Sequence, residues 1–154
     1  MGEKVNNIEQ IEGVILTPAK IIEVNGGDVL HGLKGNDPGY FGFGEAYFST
    51  VHLGVVKAWK RHREMTLNLV VPAGNIKFVV FDDRDESKSK GKFGEVILSI
   101  ENYYRLTLPP KLWMGFQGLS NMTNMLLNVA NIPHRKDEAD RKDIMEIDYD
   151  WEKI

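Results

Sequence analysis

The sequence predicts an all-β fold, a sandwich or barrel, and three observations carry that prediction. Apolar residues alternate with a period of two through most of the chain. Strand-sized runs recur at short intervals, and clusters of Gly, Pro, Asn and Asp separate them. Residues 14–24 read as two short strands, or one broken at Pro18, closed by the turn Asn25-Gly26-Gly27-Asp28. Residues 45–52, 55–62, 66–71, 76–81, 94–101, 104–108 and 124–131 are the further strands. Pro72-Ala-Gly-Asn75 and residues 82–91 supply turns between them. The charged run Asp83-Arg-Asp-Glu-Ser-Lys-Ser-Lys-Gly-Lys92 reads as a solvated hairpin tip, not a calcium loop. Helix is expected at most as a short piece around 136–143, in a charged C-terminal tail.

At 154 residues the chain is expected to form one domain, residues 1–154, with an N-terminal arm over 1–12 and a tail over 133–154. The formal charge of −3 is mild and its lysines and arginines are dispersed, so neither nucleic acid nor a membrane surface is the expected partner. The absence of cysteine excludes disulfides, thiolate nucleophiles and zinc ribbons. The first residues, Met-Gly-Glu-Lys-Val-Asn-Asn-Ile, carry no apolar signal region, and no apolar run reaches membrane-spanning length. A cytoplasmic location is expected, and the sequon at Asn121 is taken as incidental.

The strand at 55–62 concentrates the chemistry. Strict alternation puts Val56, Ala58, Lys60 and His62 on one face and Val55, Lys57, Trp59 and Arg61 on the other. If the first face lines a barrel, a cation and an imidazole share a pocket, and each lowers the other's proton affinity. A neutral base at neutral pH results, as proton abstraction beside a carbonyl requires. If the opposite face is inward, Trp59 fills core and the pair is wet surface. Among the other histidines, His31 reads as a turn residue and His52 as an edge-of-strand polar group, while His134 follows Pro133 toward the same end.

Gly54-Val-Val-Lys-Ala-Trp-Lys60-Arg-His62 with Val71-Pro-Ala-Gly74, and later Leu108-Pro-Pro-Lys-Leu-Trp-Met114-Gly115-Phe116, resemble the two signatures of a cupin jelly-roll barrel with its metal ligands replaced. One imidazole does not hold a transition metal, so no metal is expected. Together with Gly13-Val-Ile, Pro18-Ala-Lys, Tyr47-Phe-Ser49-Thr, Val80-Phe-Asp82-Asp-Arg84, Phe93-Gly94 and Leu119-Ser120, these stretches resemble the dTDP-4-dehydrorhamnose 3,5-epimerase family over most of the chain. The resemblance implies a homodimer that epimerises a nucleotide-linked 4-keto deoxysugar, in surface polysaccharide or deoxysugar biosynthesis, with neither metal nor organic cofactor. It matches Lys57 to the diphosphate-binding cation and Lys60 to the catalytic His, with His62 two residues on. The family's later Lys falls on Leu67, and its acidic Tyr falls near Ile132-Pro133, beside His134. The expected catalytic set is therefore His62, Lys60 and His134. Lys57, Tyr47, Ser49, Trp59 and Asn131 are expected to bind substrate; Tyr47, Trp59 and Trp113 are the candidates to stack on a base, and Tyr103 or Tyr104 to replace the acid. A cupin that binds the sugar nucleotide but has lost turnover stays open beside this reading.

Overall fold

A computed structural model describes residues 6–153. Twelve strands follow in order: β1 Ile15–Pro18, β2 Ile21–Ile22, β3 Val29–Leu30, β4 Glu45–Val51, β5 Val56–His62, β6 Leu67–Ala73, β7 Ile76–Phe81, β8 Phe93–Leu98, β9 Tyr104–Leu108, β10 Trp113–Gly118, β11 Asn124–Ala130 and β12 Ala139–Arg141. Two five-stranded antiparallel sheets face each other, ordered β1-β9-β6-β11-β4 and β12-β5-β10-β7-β8, and β2 and β3 form a small ribbon. This is the expected all-β jelly roll, with only two short 3-10 turns among the described residues, Ile8–Gln10 and Ile144–Glu146.

Alternation explains the packing. From the first sheet Leu16, Leu67, Leu69, Val71, Leu106 and Leu126 point between the layers, against Ile76, Phe78, Val80, Val96 and Leu98 from the second. Each fully buried aliphatic side chain contributes about 1.5–3 kcal/mol over leaving it in water. The second sheet is also covered on its outer face, where Trp59, Val79 and Trp113 meet Ile147 and Trp151 from the C-terminal tail. That second layer explains why β7 is buried on both faces and why residues 78–81 read as an unbroken apolar run.

Three features differ from the sequence reading. The strand β10 lies where two glycines hide the pattern; a Cβ on Gly115 would come within 2.6 Å of the Ala58 Cβ and 2.9 Å of the Trp151 ring. The tail segment expected to be helical is instead extended: β12 pairs antiparallel with β5, with Ala139 opposite His62, Asp140 opposite Arg61 and Arg141 opposite Lys60. Arg61 and Arg63 both bond Asp140, which fastens β12 from the outside. Within the N-terminal arm, residues 6–12 pack against β8, with Ile8 and Ile11 buried over Gly94; the arm's first five residues lie outside the described residues. The loop at 82–91 is a hairpin connection as expected, but not wholly solvated. Asp82 is fully buried and accepts from Arg84, Ser87 and Ser89; these contacts overcome the burial that alone would raise its pKa, and hold it well below the usual carboxylate range.

Candidate active site

Between the sheets a cavity of about 720 Å³ opens beside β5, with Lys57, Lys60 and His62 on its wall and Leu67, Leu69, Met114, Phe116 and Leu126 among its apolar lining. The strict alternation expected for β5 does not hold. Against β10 the pairs are Lys60 with Met114 and Lys57 with Phe116, so three steps on β5 answer two on β10. The irregularity at Ala58-Trp59 is a β-bulge, which changes the parity of the strand. Lys57 therefore joins Lys60 and His62 on the cavity side, while Trp59 and Arg61 turn outward. Of the two residues expected as the pocket floor, Ala58 does line the cavity, while Val56 packs toward the outer tryptophan layer, which Ala58 also touches.

His62 is 8% exposed, and its Nδ1 lies 2.6 Å from Oε1 of Glu138 on the tail, a carboxylate that is 2% exposed. The other oxygen of Glu138 accepts the backbone N–H groups of Glu64 and Met65 at 3.0 and 2.8 Å. Burial alone would raise the Glu138 pKa, but His62 and these two amides overcome it and keep the carboxyl ionised. An ionised carboxylate only accepts hydrogen bonds, so Nδ1 carries the imidazole proton and Nε2 holds the free lone pair. Burial lowers the His62 pKa, Glu138 opposes that, and Lys60 and Arg141 add to it; the net result lies below the ordinary imidazole value. The ring is thus an oriented neutral base in a partly dry cavity.

Lys60 is half-buried, and burial together with Arg141 across the strand pair lowers its pKa against the opposing pull of Glu138 and Glu45. Lys57 is exposed at the cavity wall and donates to the Thr50 carbonyl at 2.8 Å. From the opposite sheet come Tyr47, Ser49 and Asn128. Asn128 is 1% exposed; its amide nitrogen donates to the Tyr47 hydroxyl at 3.0 Å, while its Oδ1 is buried with no partner among the described residues. An unanswered buried acceptor in a cavity wall is a place for a ligand N–H or O–H.

Other expected residues stand elsewhere. His134 is exposed after β11 and does not line the cavity; the tail residues that do are Arg141, Lys142, Asp143 and Glu146, and Glu138 reaches it through His62. Asn131 holds the Thr66 N–H at 2.7 Å, a link between chain segments and not a cavity group. Trp59 touches the cavity wall, but its indole is buried in the outer layer, donates to the Ile144 carbonyl, and meets Trp151 at 5.3 Å between ring centroids. Trp113 is also in that layer, bonded to Asp83. Tyr103 donates to the His31 carbonyl and Tyr104 packs on the inter-sheet core, so neither is among the cavity residues. Glu138, which reaches the cavity through His62, and the lining residues Asn128, Arg141, Lys142, Asp143 and Glu146 are the groups that sequence reasoning missed. Asn128 alone had a signal, as a polar residue on an inward-alternating strand position. Among the described residues no three His, Asp or Glu side chains gather as a metal site would require.

No family model matches the chain. A solved dTDP sugar isomerase from Desulfovibrio desulfuricans G20 superposes with a TM-score of 0.89, at 38% identity over 94% of each chain. A probable low-salt glycan biosynthesis epimerase of Haloferax volcanii is 29% identical over 100 residues, 64% of this chain and 64% of that protein's length. A dTDP-4-dehydrorhamnose 3,5-epimerase of Sulfolobus tokodaii shares the fold with a TM-score of 0.78 at 24% identity, covering 90% of this chain and 81% of that one.

Proposed function

The chain belongs to the family of dTDP-sugar isomerases, and on that premise we propose that it epimerises or isomerises a nucleotide-linked 4-keto deoxysugar by proton abstraction and return. The observation that carries this reading is the buried His62–Glu138 pair, whose imidazole stands on the wall of a cavity that joins an apolar floor to several cationic and polar side chains. Glu138 fixes the tautomer, His62 Nε2 takes the proton from the carbon beside the ketone, and Lys60 activates the ketone. Tyr47, on the facing sheet, returns a proton from the other side, in the role for which the sequence reading offered Tyr103 or Tyr104. Lys57 and Arg141 hold the diphosphate, and Asn128 Oδ1 accepts a ligand hydrogen. Ser49 borders the sugar.

The reaction as proposed needs neither metal nor organic cofactor and takes place in the cytoplasm, in deoxysugar or polysaccharide biosynthesis. A homodimer is proposed through the free edge of β4, where Phe41, Phe43 and Phe48 are largely exposed, and is checked by light scattering on the wild type and on Phe48→Glu. The activity is tested by incubating the protein with dTDP-linked 4-keto-6-deoxyglucose and following the sugar by NMR. A new epimer or keto isomer is expected. Tight binding with an unchanged sugar would replace the enzyme by a binding protein.

A further inference from the structure

We propose that Lys60 activates the ketone covalently, its amine condensing with the carbonyl carbon of the bound keto sugar to form an imine; the inference rests on the isomerase reading above. The surroundings of Lys60 set it apart from Lys57 and Lys77, and from the third lysine of the cavity wall, Lys142, whose ammonium stands 5.0 Å over the Trp113 ring. Lys57 gives its ammonium to the Thr50 carbonyl. Lys77 is 1% exposed, donates to the Lys153 carbonyl and stands 5.0 Å over the Tyr149 ring. Among the described residues Lys60 has neither a hydrogen bond nor an ion pair. Its cross-strand neighbours are Met114 on one side and Arg141 on the other. Glu138, the nearest acidic candidate, is committed to His62 and two backbone amides.

An unpaired ammonium beside a guanidinium in a half-dry pocket is a poor cation and a good amine. Desolvation and a neighbouring positive charge are the two conditions that free a lysine to attack a carbonyl. Burial and the neighbouring Arg141 shift Lys60 toward its amine form, which weakens it as a charge for an enolate and favours it as a nucleophile. The neutral nitrogen adds to the carbonyl carbon, the oxygen takes up a proton, and loss of water leaves an iminium. His62, two residues along the same face, removes the proton from the adjacent carbon, and the electron pair moves to the iminium nitrogen, giving an enamine. A proton returns on the other face, water adds, and the ketone and the amine are released. The water lost is regained, and neither oxidant nor reductant is consumed.

The test mixes the protein with dTDP-linked 4-keto-6-deoxyglucose and sodium cyanoborohydride, which reduces an iminium but spares the ketone, followed by peptide mass mapping. Solvent deuterium uptake into the sugar is measured in parallel without reductant. A reduced sugar adduct on Lys60 is expected. Lys60→Arg, which keeps the charge but forms no imine, is expected to fold, to give no adduct and to lose exchange by at least about 100-fold. Exchange without an adduct, an adduct only on Lys57 or Lys142, or exchange in Lys60→Arg within about threefold of wild type overturns the proposal and leaves the isomerase reading intact. An adduct on Lys60 without exchange supports the imine and sinks the isomerase reading; the absence of both sinks the two together.

Discussion

Replacing Glu138 by Gln tests the base most selectively, because the two oxygens of this carboxylate do different work. One accepts the N–H groups of Glu64 and Met65, and the other faces His62 Nδ1 at 2.6 Å. In the Glu138→Gln variant the remaining oxygen stays with the two amide donors, so the new NH₂ group is left facing Nδ1. The imidazole must then accept at Nδ1 and carry its proton on Nε2, which removes the lone pair from the cavity. Loss of a positioned general base lowers the rate by about 10²–10⁴-fold. Folding survives, since the amides keep their acceptor. The sign of the pH effect follows from the same contacts. His62 is a base only when neutral, and its pKa lies below the ordinary value, so wild-type exchange falls off only on the acid side of about pH 6.5. Glu138 raises that pKa, so its neutralisation moves the residual acid limb further down. The assay is deuterium uptake from solvent into the keto sugar across a pH series, with melting curves on both proteins. A Glu138→Gln protein that exchanges within about threefold of wild type, on an unmoved pH profile, would refute the dyad.

Lys57→Ala and Arg141→Ala are each expected to weaken dTDP binding by about 10- to 100-fold, the loss of one charge-assisted contact, read by calorimetry. Unchanged affinity in both would remove the diphosphate assignment. Trp151→Ala empties the outer layer against Trp59 and Trp113 and is expected to cost about 3–5 kcal/mol in chemical denaturation. Because the same layer holds the tail that carries Glu138, the variant is also expected to lose exchange; full stability would show that the tail is not anchored there. His134→Ala is expected to leave exchange within about twofold of wild type, and a large loss would restore this exposed residue to the site.

Most of the barrel is legible in the sequence, because antiparallel strands with one buried face print their period of two directly. Three losses have physical causes. The glycines of β10 are there because Ala58 and Trp151 approach the backbone closely at Gly115, and glycine erases the alternation that would mark a strand. The bulge at Ala58-Trp59 changes parity inside β5, so a two-face reading recovers Lys60 and His62 together but puts Lys57 on the wrong side. The strand β12 has almost no apolar residues. Pairing with β5 and the bonds from Arg61 and Arg63 to Asp140 hold it, and neither is visible along the chain. Glu138 was hidden for that reason: its partner is 76 residues away in sequence. The family resemblance pointed to the region near Ile132-Pro133 for a further catalytic group; His134 there stays outside the cavity, and the tail beyond it supplies Glu138, which bonds His62.

At the centre of the proposed chemistry, His62 removes a proton beside the ketone of a sugar nucleotide. The most direct test is NMR of dTDP-linked 4-keto-6-deoxyglucose in deuterated water with the wild type and with His62→Asn, which keeps a polar group of similar shape. Deuterium is expected at the carbon beside the ketone with the wild type, and none above the uncatalysed background with the variant. Equal uptake by both proteins would contradict the assignment of His62 as the base.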